Sequence, residues 1–233
     1  MINKFLYKLI KPSLRVNSFA QAGEDRILEF LFSTMGIRHI TYLDIGANDP
    51  VFCNNTYLFY TRKSKGILVE PDPVFNSVLK RARPRDLVIQ AAVSDKGNSE
   101  ADFFIFDEPS VNTLSKVEAD LRQQSGSYKL KMIKRIPLLT IEHIIANYMN
   151  NELPLLISLD IEGVDHDVLQ AFDFVKYPVP VWIVETCTYS SNHIKPKVNT
   201  IIDLMLSKDY FIYADTYANT IFVNKDWFYN YGK

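Results

Sequence analysis

Apolar residues recur along this chain with two periods, and the alternation between them organises the rest of the reading. The stretch "QAGEDRILEFLFSTMG" puts Ile27, Leu28, Leu31 and Phe32 on one helical face and stops near Gly36. Ile40–Ile45 follows as a strand. Asn54, Asn55 and Thr56, residue types that cap helices, then precede a helix opening at Tyr57. "KGILVEPDP" contributes a short buried strand, Pro73 to Ala82 a helix, and "LVIQAAV" at 87–93 a third strand closed by the turn "SDKGNSE". From the helix "TIEHIIANYM" the chain runs through strand "PLLISLD", a helix near Asp165–Phe172, strand "PVWIVET" and the loop "CTYSSNHIKP". A helix near Lys197–Ser207 leads to two closely spaced strands, "YFIYAD" and "NTIFVN".

Apolar strands alternating with helices predict a doubly wound α/β fold, a mostly parallel sheet covered by helices on both faces. The final close pair supplies one antiparallel strand. The rhythm breaks at about 100–137, where "ADFFIF" and "KLKMIKRI" flank a polar, helix-leaning segment and read as an inserted antiparallel extension. With 233 residues, 47% hydrophobic and 13% aromatic, the chain can bury one sizeable core. Residues 18–233 are expected to form one domain, preceded by a separate segment, 1–17.

Charge and cysteine content narrow the field. The net charge of -1, from 26 basic and 27 acidic residues, offers no field to attract nucleic acid. Two cysteines, Cys53 and Cys187, are too few for a disulfide framework and lack metal-ligand spacing, which fits a reducing compartment, the cytoplasm. In "MINKFLYKLIKPSLRV" apolar Phe5, Leu6, Leu9 and Ile10 lie among Lys4, Lys8, Lys11 and Arg15, a run too short for a signal peptide or a membrane span. Its spacing allows a basic amphipathic helix with weak peripheral contact to a membrane surface through residues 1–15, or a terminal helix packed on the domain. The basic run "KLKMIKR" reads as the solvated face of an edge strand.

In doubly wound sheets ligands sit at the carboxyl ends of the strands. The residues there are Asp44, Glu70, Asp95, Asp160 and Glu185. A dinucleotide site needs a run of glycines that lets pyrophosphate approach a helix N-terminus, yet Gly46 is followed by Ala47, Asn48, Asp49 and Pro50. Asp44 and Asp49 would repel a pyrophosphate, whereas a ligand carrying an ammonium and a sulfonium, as S-adenosylmethionine does, gains from them. Glu70, ending the next strand, stands where nucleotide folds keep the acid that accepts ribose hydroxyls.

"DIGAN", "VEPDP", "AAVSD" and "SLDIEG…DVLQ", in this order and spacing, resemble the FkbM family of S-adenosylmethionine-dependent methyltransferases. The resemblance covers roughly residues 18 to 225, including the entry segment "SFAQAGEDRIL" and the closing pair "YFIYADTYANTIFVN". It implies a seven-stranded class I methyltransferase sheet and methyl transfer to a hydroxyl of a sugar, glycan or other small metabolite, as in surface-polysaccharide or secondary-metabolite pathways. It also implies a cofactor loop of Asp44, Gly46, Ala47 and Asn48, with Glu70 on the ribose. Pro71 and Asp72 would flank the adenine, Ala92 would offer a backbone amide, Asp95 would lie close by, and Gln21, Gly23 and Glu24 would close over the methionine end. Where many members read D-x-E-G-H-E, this chain has Val164 at the histidine position, and His166 is displaced by about 200° around a helix.

A hydroxyl acceptor must lose its proton, which makes Asp160, Glu162 and Glu185 the candidate bases, with His166 and His193 as outsiders. Asp160 and Glu185 end neighbouring strands and are also the possible ligands of a divalent cation, although two acids alone do not define such a site. Glu162 reads equally as an acid favouring a helix N-terminus. An NAD-dependent oxidoreductase and a non-catalytic cofactor-binding module of the same fold are the competing readings.

Overall fold

A computed structural model of the chain describes residues 17–97, 99–108, 111–161, 163–187 and 196–232. Residues 1–16, Glu162 and His193 lie outside the described residues, and with them the amphipathic-segment reading and two of the candidates above.

The main sheet is built from β1 (Thr41–Ile45), β2 (Lys65–Val69), β3 (Leu87–Ile89), β7 (Leu156–Leu159), β8 (Val181–Glu185), β9 (Tyr210–Asp215) and β10 (Asn219–Asn224). Its seven strands run in the order β3-β2-β1-β7-β8-β10-β9. All neighbours are parallel except β10, which is antiparallel to both β8 and β9. The chain therefore starts at β1, winds outward to β3, and crosses back to place β7 on the other side of β1. That reversal opens a crevice above the carboxyl ends of β1 and β7.

Alternation along each strand sends side chains to opposite faces. Leu43, Ile45, Ile157, Leu159, Trp182 and Val184 join one buried cluster, packed by α5 (Ile141–Tyr148), α6 (Asp165–Ala171) and α7 (Asn199–Ser207). Tyr42, Leu68, Leu156, Val181 and Ile183 join the other, covered by α1 (Glu24–Thr34), α2 (Tyr57–Thr61) and α3 (Pro73–Ala82). Each fully buried Leu or Ile in these layers stabilises the fold by roughly 1.5–3 kcal/mol, and together they hold the strand ends in register.

The stretch 87–93, expected as one strand, is two. β3 ends at Ile89, and β4 (Ala92–Val93) pairs in parallel with β6 (Leu130–Leu139) in a second sheet of order β4-β6-β5, with β5 (Ser99–Phe106) antiparallel to β6. The last pair between β2 and β3 is Val69 with Ile89. The Glu70 amide makes the last ladder bond to β3, donating to the Ile89 carbonyl at 3.1 Å, and beyond Gln90 the chain pairs with β6 instead. The extension also contains α4 (Lys116–Gln124), capped by the Ser115 hydroxyl, and both faces of β5 are covered: Phe103 and Ile105 on one side, Phe104 and Phe106 with Val111 and Ala119 on the other.

A short helix not anticipated from the sequence, α8 (Lys225–Asn230), follows β10, with the Asn224 side chain accepting from the Trp227 amide at 2.9 Å. Among the described residues no helix is long and apolar enough to cross a membrane.

Candidate active site

The turn after β1 is shaped by a glycine that nothing else could replace. Gly46 has φ of 80°, and a Cβ there would lie 1.8 Å from the Asp160 carbonyl oxygen at the end of β7. Its amide donates to the Val69 carbonyl at 3.0 Å, and Asn48, also left-handed with φ of 48°, completes the bend. Three strand ends are thereby drawn to one point.

Asp44 is 3% exposed. Its Oδ2 accepts from the Thr56 hydroxyl at 2.6 Å and from Asn54 Nδ2 at 3.3 Å. Burial pushes its carboxyl above the usual range, while the Arg83 guanidinium and the hydrogen bonds from Thr56, Ser158 and Asn54 pull it back. The helix expected after Asn54–Thr56 starts at Tyr57 with Thr56 as its N-cap, and Asn54 Oδ1, two residues earlier than that cap, accepts from the Thr56 and Tyr57 amides.

Glu70 bridges two loops. Oε2 accepts from the Asn48 amide at 2.9 Å and Oε1 from the Asp72 amide at 2.8 Å. Burial pushes its carboxyl up to about 7, those two amides oppose the shift, and the nearby Asp72 and Asp44 charges add to it. Each oxygen keeps a further lone pair. Asp72 caps α3 through Oδ1, accepting from Val74 at 2.7 Å, and holds Asn112 of the extension through Oδ2 at 2.8 Å.

These residues line a cavity of about 750 Å³ above the β1–β7 crevice. Of the expected site residues it gathers Asp44, Gly46, Ala47, Asn48, Glu70, Pro71, Asp72, Ala92 and Asp160. Carboxylates reach its wall from Asp44, Asp49, Glu70, Asp72, Glu108, Glu118 and Asp160, and among the described residues that line it there is no lysine, arginine or histidine. The apolar part of the wall includes Pro71, Phe75, Ala92, Phe103 and Leu114, three of the five from outside the extension. A second cleft of about 490 Å³, near Arg38, His39 and Arg62 at the opposite end of β1, contains none of the expected residues.

The other expected residues lie outside the cavity lining. Asp95 is exposed in the turn after β4, and Gln21 is exposed before α1. Gly23, with φ of 92°, forms the N-cap of α1. Glu24 is fully buried and locks α1 to the β9–β10 turn, accepting from the Thr216 hydroxyl at 2.7 Å and Asn219 Nδ2 at 3.0 Å. Asp160 is exposed at the cavity wall, and Glu185 is partly buried at the end of the adjacent strand, close enough to Asp165 to raise its carboxyl. No group of three His, Cys, Asp or Glu gathers into a cation site among the described residues. Cys187 donates to the Tyr217 carbonyl at 2.9 Å and is buried. His166 lies beside Asp167 at 3.6 Å, away from the cavity lining.

Two buried residues that hold up this site without lining the cavity escaped the sequence reading. Asp165 accepts from the Ile161 amide at 3.1 Å and the Gly163 amide at 3.2 Å, fixing the loop after β7, and burial pushes its carboxyl up to about 6. An acid at a helix start beside Gly163 was the available signal. Arg83 is fully buried behind Asp44; "RPRD" gave no hint of burial.

A doubly wound sheet whose switch point opens into a carboxylate-lined cavity defines a small-molecule site of the kind α/β enzymes carry. Residues 44–212, well over half of the chain, match the family described as the Methyltransferase FkbM domain. The chain belongs to this FkbM family of S-adenosylmethionine-dependent methyltransferases. No curated protein matches it significantly.

Solved structures similar to it include a TehB-like SAM-dependent methyltransferase from Corynebacterium glutamicum, at 9% identity and TM-score 0.43, covering 95% of both chains. A 1,6-didemethyltoxoflavin-N1-methyltransferase from Burkholderia thailandensis is similar at 11% identity and TM-score 0.41, covering 96% of this chain and 89% of that one. An O-methyltransferase from Bacillus cereus is similar at 13% identity and TM-score 0.42, covering 94% and 88%. The family assignment rests on the sequence match over residues 44–212.

Proposed function

We propose that this protein methylates a hydroxyl of a sugar, glycan or other small metabolite, using S-adenosylmethionine bound in the cavity above β1 and β7. The observation that carries the reading is the cavity wall itself: about 750 Å³ of space edged by carboxylates, with no basic side chain among its described residues. Such a wall suits a ligand with an ammonium and a sulfonium and penalises a pyrophosphate, which argues against the NAD-dependent alternative. The turn at Gly46 packs tight against the Asp160 carbonyl, where any side chain would intrude, and so brings the ends of β1 and β7 together at the cavity.

When bound, the cofactor supplies an electrophilic methyl group on sulfur. In the proposed division of labour, Asp44 and the Gly46–Asn48 turn hold the amino-acid end. Glu70 accepts the ribose hydroxyls with the lone pairs that Asn48 and Asp72 leave free. Pro71 and Asp72 flank the adenine, and Ala92 offers its backbone. Asp160, exposed at the cavity wall, is the candidate to take the acceptor's proton. Glu185 ends the adjacent strand behind it, and Glu162 remains a second candidate base. Most of the catalytic advantage then comes from orientation. The two widely separated cysteines keep the cytoplasm as the proposed compartment.

Calorimetric titration of cofactor-free protein with S-adenosylmethionine and, separately, NAD tests the reading. One-to-one binding of the former alone is the expected result; binding of NAD, or of neither by a folded protein, overturns it. Once an acceptor is found, Asp160→Ala should bind the cofactor as the wild type does and lose roughly 10²–10⁴-fold in turnover. Undiminished turnover in that variant would transfer the role of base to another acid.

A further inference from the structure

Arg83 stands at the C-terminal end of α3 with no solvent exposure at all, 0%. A guanidinium keeps its charge in any protein environment, so burying one is costly unless partners surround it. Here they do. Nε donates to Asp86 Oδ2 at 2.8 Å, Nη1 to Asn54 Oδ1 at 3.1 Å, and Nη2 to the Tyr42 hydroxyl at 3.0 Å and the Thr56 hydroxyl at 2.9 Å. Tyr42 in turn donates to Asp86, whose Oδ1 also accepts the Gly66 amide at 2.9 Å. Gly66 is needed for this arrangement, because a Cβ there would meet the Tyr42 ring and carbonyl at 2.2 Å.

Two of the partners face the cavity side as well. Thr56 donates to Asp44 at 2.6 Å and Asn54 donates to the same oxygen at 3.3 Å. The guanidinium thus reaches Asp44 through two neutral bridges, while neither Arg83 nor Asp86 lines the cavity. With both carboxylates ionised, two negative charges share one guanidinium, the cluster carries one excess negative charge, and Asp44 is the member that faces the cavity.

We propose that Arg83 and Asp86 are positioning residues for the cofactor: Arg83 fixes the Asp44 carboxylate through Thr56 and Asn54, and Asp86 occupies the guanidinium so that Asp44 presents its charge to a cationic ligand. The proposal rests on the reading of this cavity as the S-adenosylmethionine site and adds to it a source of preference for the charged cofactor over its spent form.

The test compares S-adenosylmethionine, a sulfonium cation, with S-adenosylhomocysteine, its neutral thioether, by calorimetry on folded protein. Asp86→Asn keeps the side chain's size, turns one of its two acceptors into a donor at some cost in stability, and removes the charge that offsets Arg83. In the folded variant it is expected to lower the affinity ratio of the charged to the neutral ligand about tenfold. Arg83→Lys keeps the charge and loses the fork of donors; it should weaken both ligands by a similar factor and leave the ratio alone. Should Arg83→Lys fail to fold, Thr56→Val, which removes one bridge, carries the same expectation.

An unchanged ratio in Asp86→Asn overturns the electrostatic half of the proposal, and wild-type affinities in Arg83→Lys or Thr56→Val overturn the positioning half. A folded wild type that binds neither ligand sinks the cofactor reading and this proposal with it, an outcome distinct from a binding wild type with indifferent variants.

Discussion

Replacing Glu70 by glutamine is expected to weaken S-adenosylmethionine binding by about a hundredfold or more and to remove most of its pH dependence. In the wild type both carboxylate oxygens accept backbone amides, from Asn48 and Asp72. Glutamine has one oxygen, so one buried amide loses its acceptor, a loss of about 1–3 kcal/mol before any ligand contact is considered. In the proposed placement the ionised form of Glu70 is the one that would accept the ribose hydroxyls and complement a cation, and burial pushes its carboxyl up to about 7. Wild-type affinity should therefore fall below neutral pH, by up to about tenfold per pH unit.

Stability of the cofactor-free protein moves the opposite way. The unfolded chain releases this proton near 4.5 and the folded chain near 7, so between those values the native state holds more protons and stability falls as pH rises, by about 3 kcal/mol in all. Asp165, released near 3.8 unfolded and about 6 folded, adds a change of the same sign at lower pH. Titration calorimetry from about pH 6 to 8.5 reads the first effect, and urea midpoints of both proteins from about pH 4 to 7 read the second. A flat wild-type binding profile would contradict the placement of Glu70 against the ligand.

Gly46→Ala should be the most damaging single-methyl change in the site. The added carbon would lie 1.8 Å from the Asp160 carbonyl, a backbone atom with no rotamer by which to escape, at a φ of 80° that side chains avoid. Either β1 or β7 must give way at the point where the two strands define the crevice, and a loss of about 4 kcal/mol or more is expected. Gly163→Ala is the control. It has φ of 95° but no atom within 4 Å of the added carbon, so only the backbone preference is disturbed, by about 1–2 kcal/mol. Equal urea midpoints for the two variants would show that the crossing of Gly46 over Asp160 is looser than described.

What could be read from the sequence was whatever depends on neighbours along the chain. The helix Pro73–Ala82 came out with both ends correct because Asp72 and Pro73 form a local start signal. The closing strands at 210–215 and 219–224 did so because their apolar runs are bounded by a short turn. "DIGAN" and "VEPDP" pointed to the strand ends that meet in the cavity, since a buried strand ending in an acid is unusual in itself. The break at Gln90 was hidden because the strand that takes Ala92 and Val93, β6, comes from the extension far downstream. Arg83 was hidden for a similar reason: its partners at positions 42, 54 and 56 come from a different part of the chain. α8 was missed because its cap, Asn224, is also the last residue of β10.

The pairing of β1 with β7 joins Tyr42 to Leu156 and Ile45 to Leu159. On the ribosome, β1 and β2 can meet early, yet β1 stays an open apolar edge until β7 emerges far downstream. A nascent chain in that interval has half a sheet and no cavity floor, the kind of edge that invites aggregation or chaperone capture. In the proposed placement, cofactor in the surrounding solution could not rescue it, because Gly46 has no Asp160 to pack against. Protection from proteolysis by S-adenosylmethionine should accordingly appear abruptly in a series of stalled chains, once β7 has cleared the exit tunnel.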